Sequence, residues 1–283
     1  MRAIKSIVLG AMLFTSVFIS VTLLRAPDEM WAGLGGVGLS LWILVALIIE
    51  NRLPVKGNMR ARWLWRLAPL WVLTWLGLIV LMERTVAELG RIYSDLGLLS
   101  WDARFFGWLA PQGQIRFWFG GRLDWVWMSI LGVAVLWSTV VLIRIGLSVT
   151  RAKYWSADLS ANRLDAVWTA LSTALLVHVW LAFAFPALGP AHAFPELFQE
   201  LPPTGFELNR ANTFPALGMT VFWIIGLFAK RWFQGWFGWG AIGCAFLATG
   251  AGLFLGFHYI AGVVAGGLCV ALGLQVSRWR HVI

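Results

Sequence analysis

Charge is scarce in this sequence. Only 12% of its 283 residues are charged, while 60% are hydrophobic. A soluble domain usually carries about 25% charged residues, so polar surface is too limited to cover a globule in water and a soluble enzyme is excluded. The same figures exclude a disordered chain, which needs low hydrophobicity. Cysteine is almost missing: Cys244 and Cys269 lie in apolar runs with no His or Asp at ligand spacing. That argues against a disulfide framework and a zinc site, and no metal or cofactor is expected. No Ser/Gly/Pro linker, low-complexity block or clear internal repeat divides the chain. Acids are the rarer charge, 13 against 22 Lys and Arg, for a formal +9. Tryptophan, by contrast, is abundant at 20 residues, and indole favours the boundary between apolar and wet surroundings. The composition is that of an integral membrane protein.

A helix needs roughly 20 apolar residues to cross the hydrocarbon. Spans are expected at Ser6–Leu24, retained as a first helix because no small-residue cleavage site follows it, and at Met30–Ile49. Others are expected at Leu67–Met82 (extended by Trp63, Leu64 and Trp65), Trp125–Ile143, Ala166 to about Leu188 and Ala211–Ala229. Trp232–Ser277 holds no formal charge over 46 residues, room for two more at about 234–254 and 259–276 around Gly256-Phe-His-Tyr259. The expected fold is an all-α integral membrane protein with about eight transmembrane helices and both termini on one side.

Charge asymmetry orients it. With the N-terminus cytoplasmic, inner segments hold 15 of the 22 basic residues against Glu50, Asp158 and Asp165, a balance of +12, and the outer segments come to −3. This follows the positive-inside rule and accounts for the +9 as topology and contact with anionic headgroups, so nucleic-acid binding is not needed. A bacterial inner membrane is the expected location, with membrane lipids and membrane proteins as partners. The long outer segment 83–124 mixes Trp101, Phe105, Phe106 and Trp108 with Asp102 and Arg104. It reads either as helices lying in the outer interface or as a packed extracytoplasmic cap.

Three motifs fall on that outer face: Phe185-Pro-Ala-Leu-Gly-Pro190, Asn212-Thr-Phe-Pro-Ala-Leu-Gly-Met219 and His258-Tyr-Ile-Ala-Gly-Val-Val-Ala-Gly266. Taken singly, the prolines end and start helices and the glycines allow close helix approach. Gly252-xxx-Gly256 and Gly262-xxx-Gly266 would bring the last two spans together backbone to backbone. His178, inside the fifth span, is a membrane-embedded histidine and therefore a functional flag, with a hydrogen bond to a neighbouring helix carbonyl as the bland role.

In order, spacing and side, the three motifs resemble those of the type 2 phosphatidic acid phosphatase superfamily, in its inositol phosphorylceramide synthase-like branch. That branch shows Pro-x-x-Gly-Pro, then Phe-Pro-Ser-Leu-His, then His-Tyr-x-x-Asp-x-x-x-Gly. The resemblance covers roughly 95–275, with Leu98-Leu-Ser-Trp-Asp102 similar to the family's aromatic segment. It implies two N-terminal transmembrane helices in 1–60 and, in 61–283, a six-helix phosphatase-like core carrying the outer interfacial segment 83–124.

In such proteins the histidine of the last motif attacks phosphorus, the aspartate four residues on orients it, the second motif's histidine protonates the leaving oxygen, and its serine helps bind phosphate. Here the nucleophile position is His258, followed by Tyr259, but the other three positions are Gly262, Gly218 and Ala216. An imidazole without a carboxylate partner loses tautomer control and stabilisation of its cation, and a missing general acid forfeits roughly 10²–10⁴-fold in rate. Arg210, two residues before Asn212, is the nearest cation in sequence to meet a phosphate and Arg122 is another candidate, with anchoring at the outer headgroups as the alternative role of either, and Phe214 and Tyr259 complete the substrate-binding candidates. His192 is a possible substitute acid or base, as are Glu196, Glu200 and Glu207.

The expected function is therefore a tryptophan-rich pseudoenzyme: a catalytically degenerate membrane lipid-phosphatase/phosphotransferase-fold protein that binds a lipid or acts as a scaffold or subunit of a membrane complex. The alternative is an active lipid phosphate phosphatase or headgroup phosphotransferase with His258 as nucleophile and a relocated acid/base. A transporter is disfavoured because, apart from His178, no acidic or basic side chain falls within the drawn spans. The topology is testable with reporter fusions: a reporter active only outside the cytoplasm gives signal when fused near residue 200 and none near residue 60 or at the C-terminus. The reverse pattern inverts the assignment.

Overall fold

The computed structural model describes residues 2–52, 67–89, 93–106, 124–150, 157–193, 214–233 and 235–278. Among them there is no strand, and nine helices have twelve or more residues: α1 (Arg2–Leu24), α2 (Met30–Arg52), α3 (Ala68–Glu88), α4 (Asp95–Phe106), α5 (Asp124–Thr150), α6 (Ala157–Ala184), α7 (Leu217–Trp232), α8 (Trp236–Phe254) and α9 (Ile260–Arg278). Seven of these, all but α4 and α7, are long and apolar enough to cross a membrane. The protein is an all-α integral membrane protein.

The count among the described residues is seven spans of full length rather than about eight, and the difference lies in α7. Its 16 residues rise about 24 Å against a hydrocarbon core of about 30 Å. Pro215 keeps the helix from starting sooner, because proline cannot donate within a helix interior, and Gly235 at φ 77° breaks the chain before α8. At α3 the helix starts with a proline in its first turn and runs six residues past the expected end at Met82. The extension is polar: Arg84 donates to both carboxylate oxygens of Glu29 at 3.0 and 2.7 Å. Trp63, Leu64 and Trp65 lie outside the described residues.

The chain forms two compact units. One comprises Met1–Arg91, Ile143–Val179 and Leu272–Ile283, the other Ile92–Leu142 and Trp180–Ala271. In the first, α1 and α2 make a tight hairpin through small residues. A Cβ on Gly36 would come within 2.5 Å of Ser20 Oγ, and Ser16 Oγ lies 2.8 Å from Ser40 Oγ. Hydroxyls inside these spans are satisfied without water: Thr15, Ser20 and Thr22 donate to the carbonyls of Ala11, Ser16 and Phe18. Trp42 Nε1 donates to Thr74 Oγ1 at 2.8 Å. Hydrocarbon offers no alternative partner, so such internal pairing is favoured.

The second unit is richer in aromatics. α7 and α8 form another hairpin, with Gly226 against the Ala241 carbonyl and Trp223 Nε1 donating to Thr249 Oγ1 at 3.0 Å. Trp137 lies on Phe237 with ring centroids 5.2 Å apart, and Trp127 stacks on Phe254 at 5.0 Å. Trp125, Trp236 and Trp239 are exposed, as interfacial indoles are, and Lys230 lies over the Trp239 ring at 4.0 Å.

Within the first unit, the late part of α9 closes on α6: a Cβ on Gly273 would come within 2.5 Å of the Ala170 carbonyl oxygen and 3.1 Å of Ala174 Cβ. Gly273→Val is expected to cost about 1–3 kcal/mol by overpacking, read as a lower melting temperature in detergent. Gly35→Ala, in open space, should leave the melt unchanged.

Candidate functional site

The site is built on α4, whose polarity is inverted relative to an ordinary amphipathic helix. Asp95 and Asp102 are seven residues, two turns, apart and so share one face. Both are buried, at 5% and 4% exposure, while Leu96, Trp101 and Phe105 are exposed at 74%, 59% and 61%. The acids point into protein and the aromatics out of it. Ser94 starts the helix, its N–H donating to the Pro186 carbonyl at 2.7 Å.

Each carboxylate binds backbone. Asp95 accepts from the N–H groups of Leu188 (3.1 and 3.0 Å to its two oxygens) and Gly189 (3.0 Å), and from the Tyr259 hydroxyl at 2.6 Å. Asp102 accepts from Ile260 N–H and Ala261 N–H, both at 2.8 Å, one to each oxygen. The first amides of α9 have no intrahelical acceptor, and a carboxylate at a helix N-terminus also meets the positive end of its dipole. Asp102 is thus a cap supplied from a distant helix.

His258 and Tyr259 are placed by the end of α8. Gly256 has φ 72°, and its N–H donates to the Leu253 carbonyl while that of Phe257 donates to the Gly252 carbonyl. This is a Schellman ending with glycine at its left-handed position. It folds His258 back onto Gly252, where a Cβ would come within 2.8 Å of His258 Cδ2. His258 is half-buried and Tyr259 fully buried.

The second motif joins the third through backbone. Ala216 N–H donates to the Gly262 carbonyl at 3.0 Å. A Cβ on Gly266 would lie 3.1 Å from the Ala216 carbonyl and 3.3 Å from Thr220 Oγ1. The close approach at Gly266 is therefore with α7, whereas a union of the last two spans was expected, and Gly252 and Gly256 shape the turn. Ala216 is fully buried. Gly218 faces Phe222 at ordinary contact distance, and Phe214 meets Phe185 edge-on at 6.1 Å.

Electrostatically the site is anionic. Burial pushes the Asp102 carboxyl above its ordinary value, opposed by the Ile260 and Ala261 amides. Burial, the bond to Asp95 and the charges of Asp95 and Asp102 push the Tyr259 phenol up strongly, so it remains a donor at neutral pH. Among the described residues no Lys or Arg pairs with either aspartate, and no cluster of three His, Cys, Asp or Glu is placed to hold a metal.

The expected residues His258, Tyr259, Phe214, Ala216, Gly218 and Gly262 all belong to this unit. Arg210, Arg122, Glu196, Glu200 and Glu207 lie outside the described residues. His192 falls in a single helical turn, Pro190–Ala193, of which the backbone alone is described. His178 lies fully buried in α6, in the first unit. Sequence reasoning passed over Asp95 and Asp102 as partners of the motifs. Their signal was the placement of two acids seven apart in a segment rich in leucine and aromatics. Compared with protein-family models, curated proteins and solved structures, the chain finds no match.

Asp102→Ala leaves two half-buried amides without their acceptor and is expected to cost about 1–3 kcal/mol, and Tyr259→Phe, which removes a bond to a carboxylate, about 1.5–3 kcal/mol. A carboxyl whose value is raised by folding favours the folded state most strongly at low pH, and that contribution is lost as pH rises from the ordinary carboxylate range through the folded value. Melting curves across that window should show the trend in the native chain and lose it in Asp102→Asn. An unchanged pH profile in Asp102→Asn refutes the assignment.

Proposed function

We propose that the protein is a catalytically degenerate member of the membrane lipid-phosphatase/phosphotransferase fold, which binds a lipid or serves as a scaffold or subunit of a membrane complex. One observation carries this reading: the backbone donors next to His258 are already taken by the chain's own carboxylates. Phosphate recognition needs convergent donors and cations. Here the amides of Leu188, Gly189, Ile260 and Ala261 and the Tyr259 hydroxyl all bind Asp95 or Asp102. A phosphate arriving beside them would meet two acids.

The residues at the family-like reactive positions support the same reading. Ala216, Gly218 and Gly262 supply no hydroxyl, imidazole or carboxylate, and Ala216 and Gly262 are joined through their main chains. The framework is kept by packing and capping, which a lipid-binding or assembly role requires and which need no proton transfer. The proposed setting is a bacterial inner membrane, with both termini cytoplasmic and the His258 region outside, supported by the balance of +12 against −3.

The competing reading, an active phosphatase or phosphotransferase, requires His258 as nucleophile and a relocated acid such as His192. The two readings separate in one assay. Purified protein incubated with phosphatidic acid and with an isoprenoid phosphate in mixed micelles is expected to release no phosphate above the His258→Ala variant. Turnover abolished by His258→Ala, with a trapped phosphohistidine, would overturn the proposal.

A further inference from the structure

The turn between α7 and α8 carries a charge pattern that the motifs leave unused. Lys230 and Arg231 lie in the last turn of α7, and Gly235 redirects the chain so that α8 starts at Trp236. The turn is tight: a Cβ on Gly238 would come within 2.9 Å of Lys230 Cα. This closeness sets the Lys230 ammonium over the Trp239 ring, 4.0 Å from its centroid. Arg231 is exposed. Among the described residues neither cation pairs with a carboxylate, and the sequence has no Asp or Glu after Glu207. The described acids of the elements packed on α8 belong to its other end. Asp124 opens α5 three residues before Trp127, which stacks on Phe254, and Asp102 caps the start of α9. The 19 residues of α8 rise about 27 Å between the two ends, so the turn presents positive charge alone.

Depth and the shape of α8 identify the occupant. Trp236 opens the span Trp236–Phe254, which puts the cations at headgroup level, where exposed indoles belong. Trp239, Gly243 and Phe246 follow at i, i+4 and i+7 on one face of the span. Trp239 and Phe246 are 62% and 68% exposed, and a Cβ on Gly243 would meet nothing within 4 Å. Two rings about 10 Å apart along the helix therefore flank an open notch that leads from the cations into the hydrocarbon. A charged head on an apolar chain matches both parts, and a zwitterionic head would bring its ammonium to a patch with no carboxylate.

We propose that the α7–α8 turn binds an anionic glycerophospholipid, its phosphodiester held by Lys230 and Arg231 and one acyl chain laid over Gly243 between Trp239 and Phe246. The assignment is independent of how His258 is read. Full-length protein in nanodiscs of equal phosphatidylglycerol and phosphatidylethanolamine is re-extracted, and retained lipid is counted by native mass spectrometry. Phosphatidylglycerol should be retained in preference. Lys230→Gln and Arg231→Gln should each lower its retention roughly fivefold, as expected for one cation near a membrane surface. Gly243→Leu should lower it at an unchanged melting temperature. Arg52→Gln, which removes an exposed cation from the end of α2, should leave it as it is. Arg231→Gln and Gly243→Leu alter exposed positions and decide the question if Lys230→Gln does not fold. Equal retention of the two lipids, a loss in Arg52→Gln as large as in Arg231→Gln, or retention unaffected by Gly243→Leu overturns the proposal.

Discussion

A backbone amide in a membrane protein has no water to fall back on, and the second unit is arranged around that constraint. Five donors, the amides of Leu188, Gly189, Ile260 and Ala261 and the hydroxyl of Tyr259, converge on two carboxylates of one short helix. The acids satisfy the start of α9 and the turn after α6 together, and in doing so they tie the first and third motifs to the same scaffold. Unpaired, each of those donors would carry a desolvation penalty of about 1–3 kcal/mol, which is why α4 turns its acids inward and its aromatics outward.

The same arrangement shapes the chemistry open to His258. Helix N-termini and glycine-rich turns are natural anion sites because their amides point at the ligand. Where a side-chain carboxylate fills that position, the amides are used and the local charge is negative. A phosphoryl group would have to displace Asp95 or Asp102, and among the described residues no Lys or Arg pairs with either. Capping by acid and binding of phosphate at one set of amides are alternatives, and the resolved geometry follows the first.

The first unit solves the polar problem differently. Serine and threonine hydroxyls in α1 and α2 return their protons to carbonyls one turn back, which keeps the spans apolar outside and lets the helices touch through small residues. Its formal charges are held at span ends, where Lys5 gathers Glu50 and Asp165 from two other helices. Placed in mid-span, the same charges would cost several kcal/mol in hydrocarbon.

How much was legible in the sequence follows from the range of each effect. Burial of apolar runs is local, so the spans from Ser6 to Ser277 could be drawn from hydropathy, and most helices start within a few residues of their expected positions. Turn chemistry is local as well: Gly256 after α8 and Pro215 before α7 announce themselves by residue type, although the short reach of α7 was missed because hydropathy does not see where a helix can start. The acids of α4 were read as part of an interfacial segment because a charge beside tryptophan satisfies that pattern equally well. Which side of α4 faces protein, and that Lys5 meets residues 45 and 160 positions away, depends on partners brought together only by folding. The sequence by itself determined the solvent, the spans and the absence of a hydroxyl, imidazole or carboxylate at Ala216, Gly218 and Gly262, because these are properties of single residues and short windows. The tertiary structure alone decided where the buried carboxylates go, because a hydrogen bond is specified by two positions and a sequence window contains one.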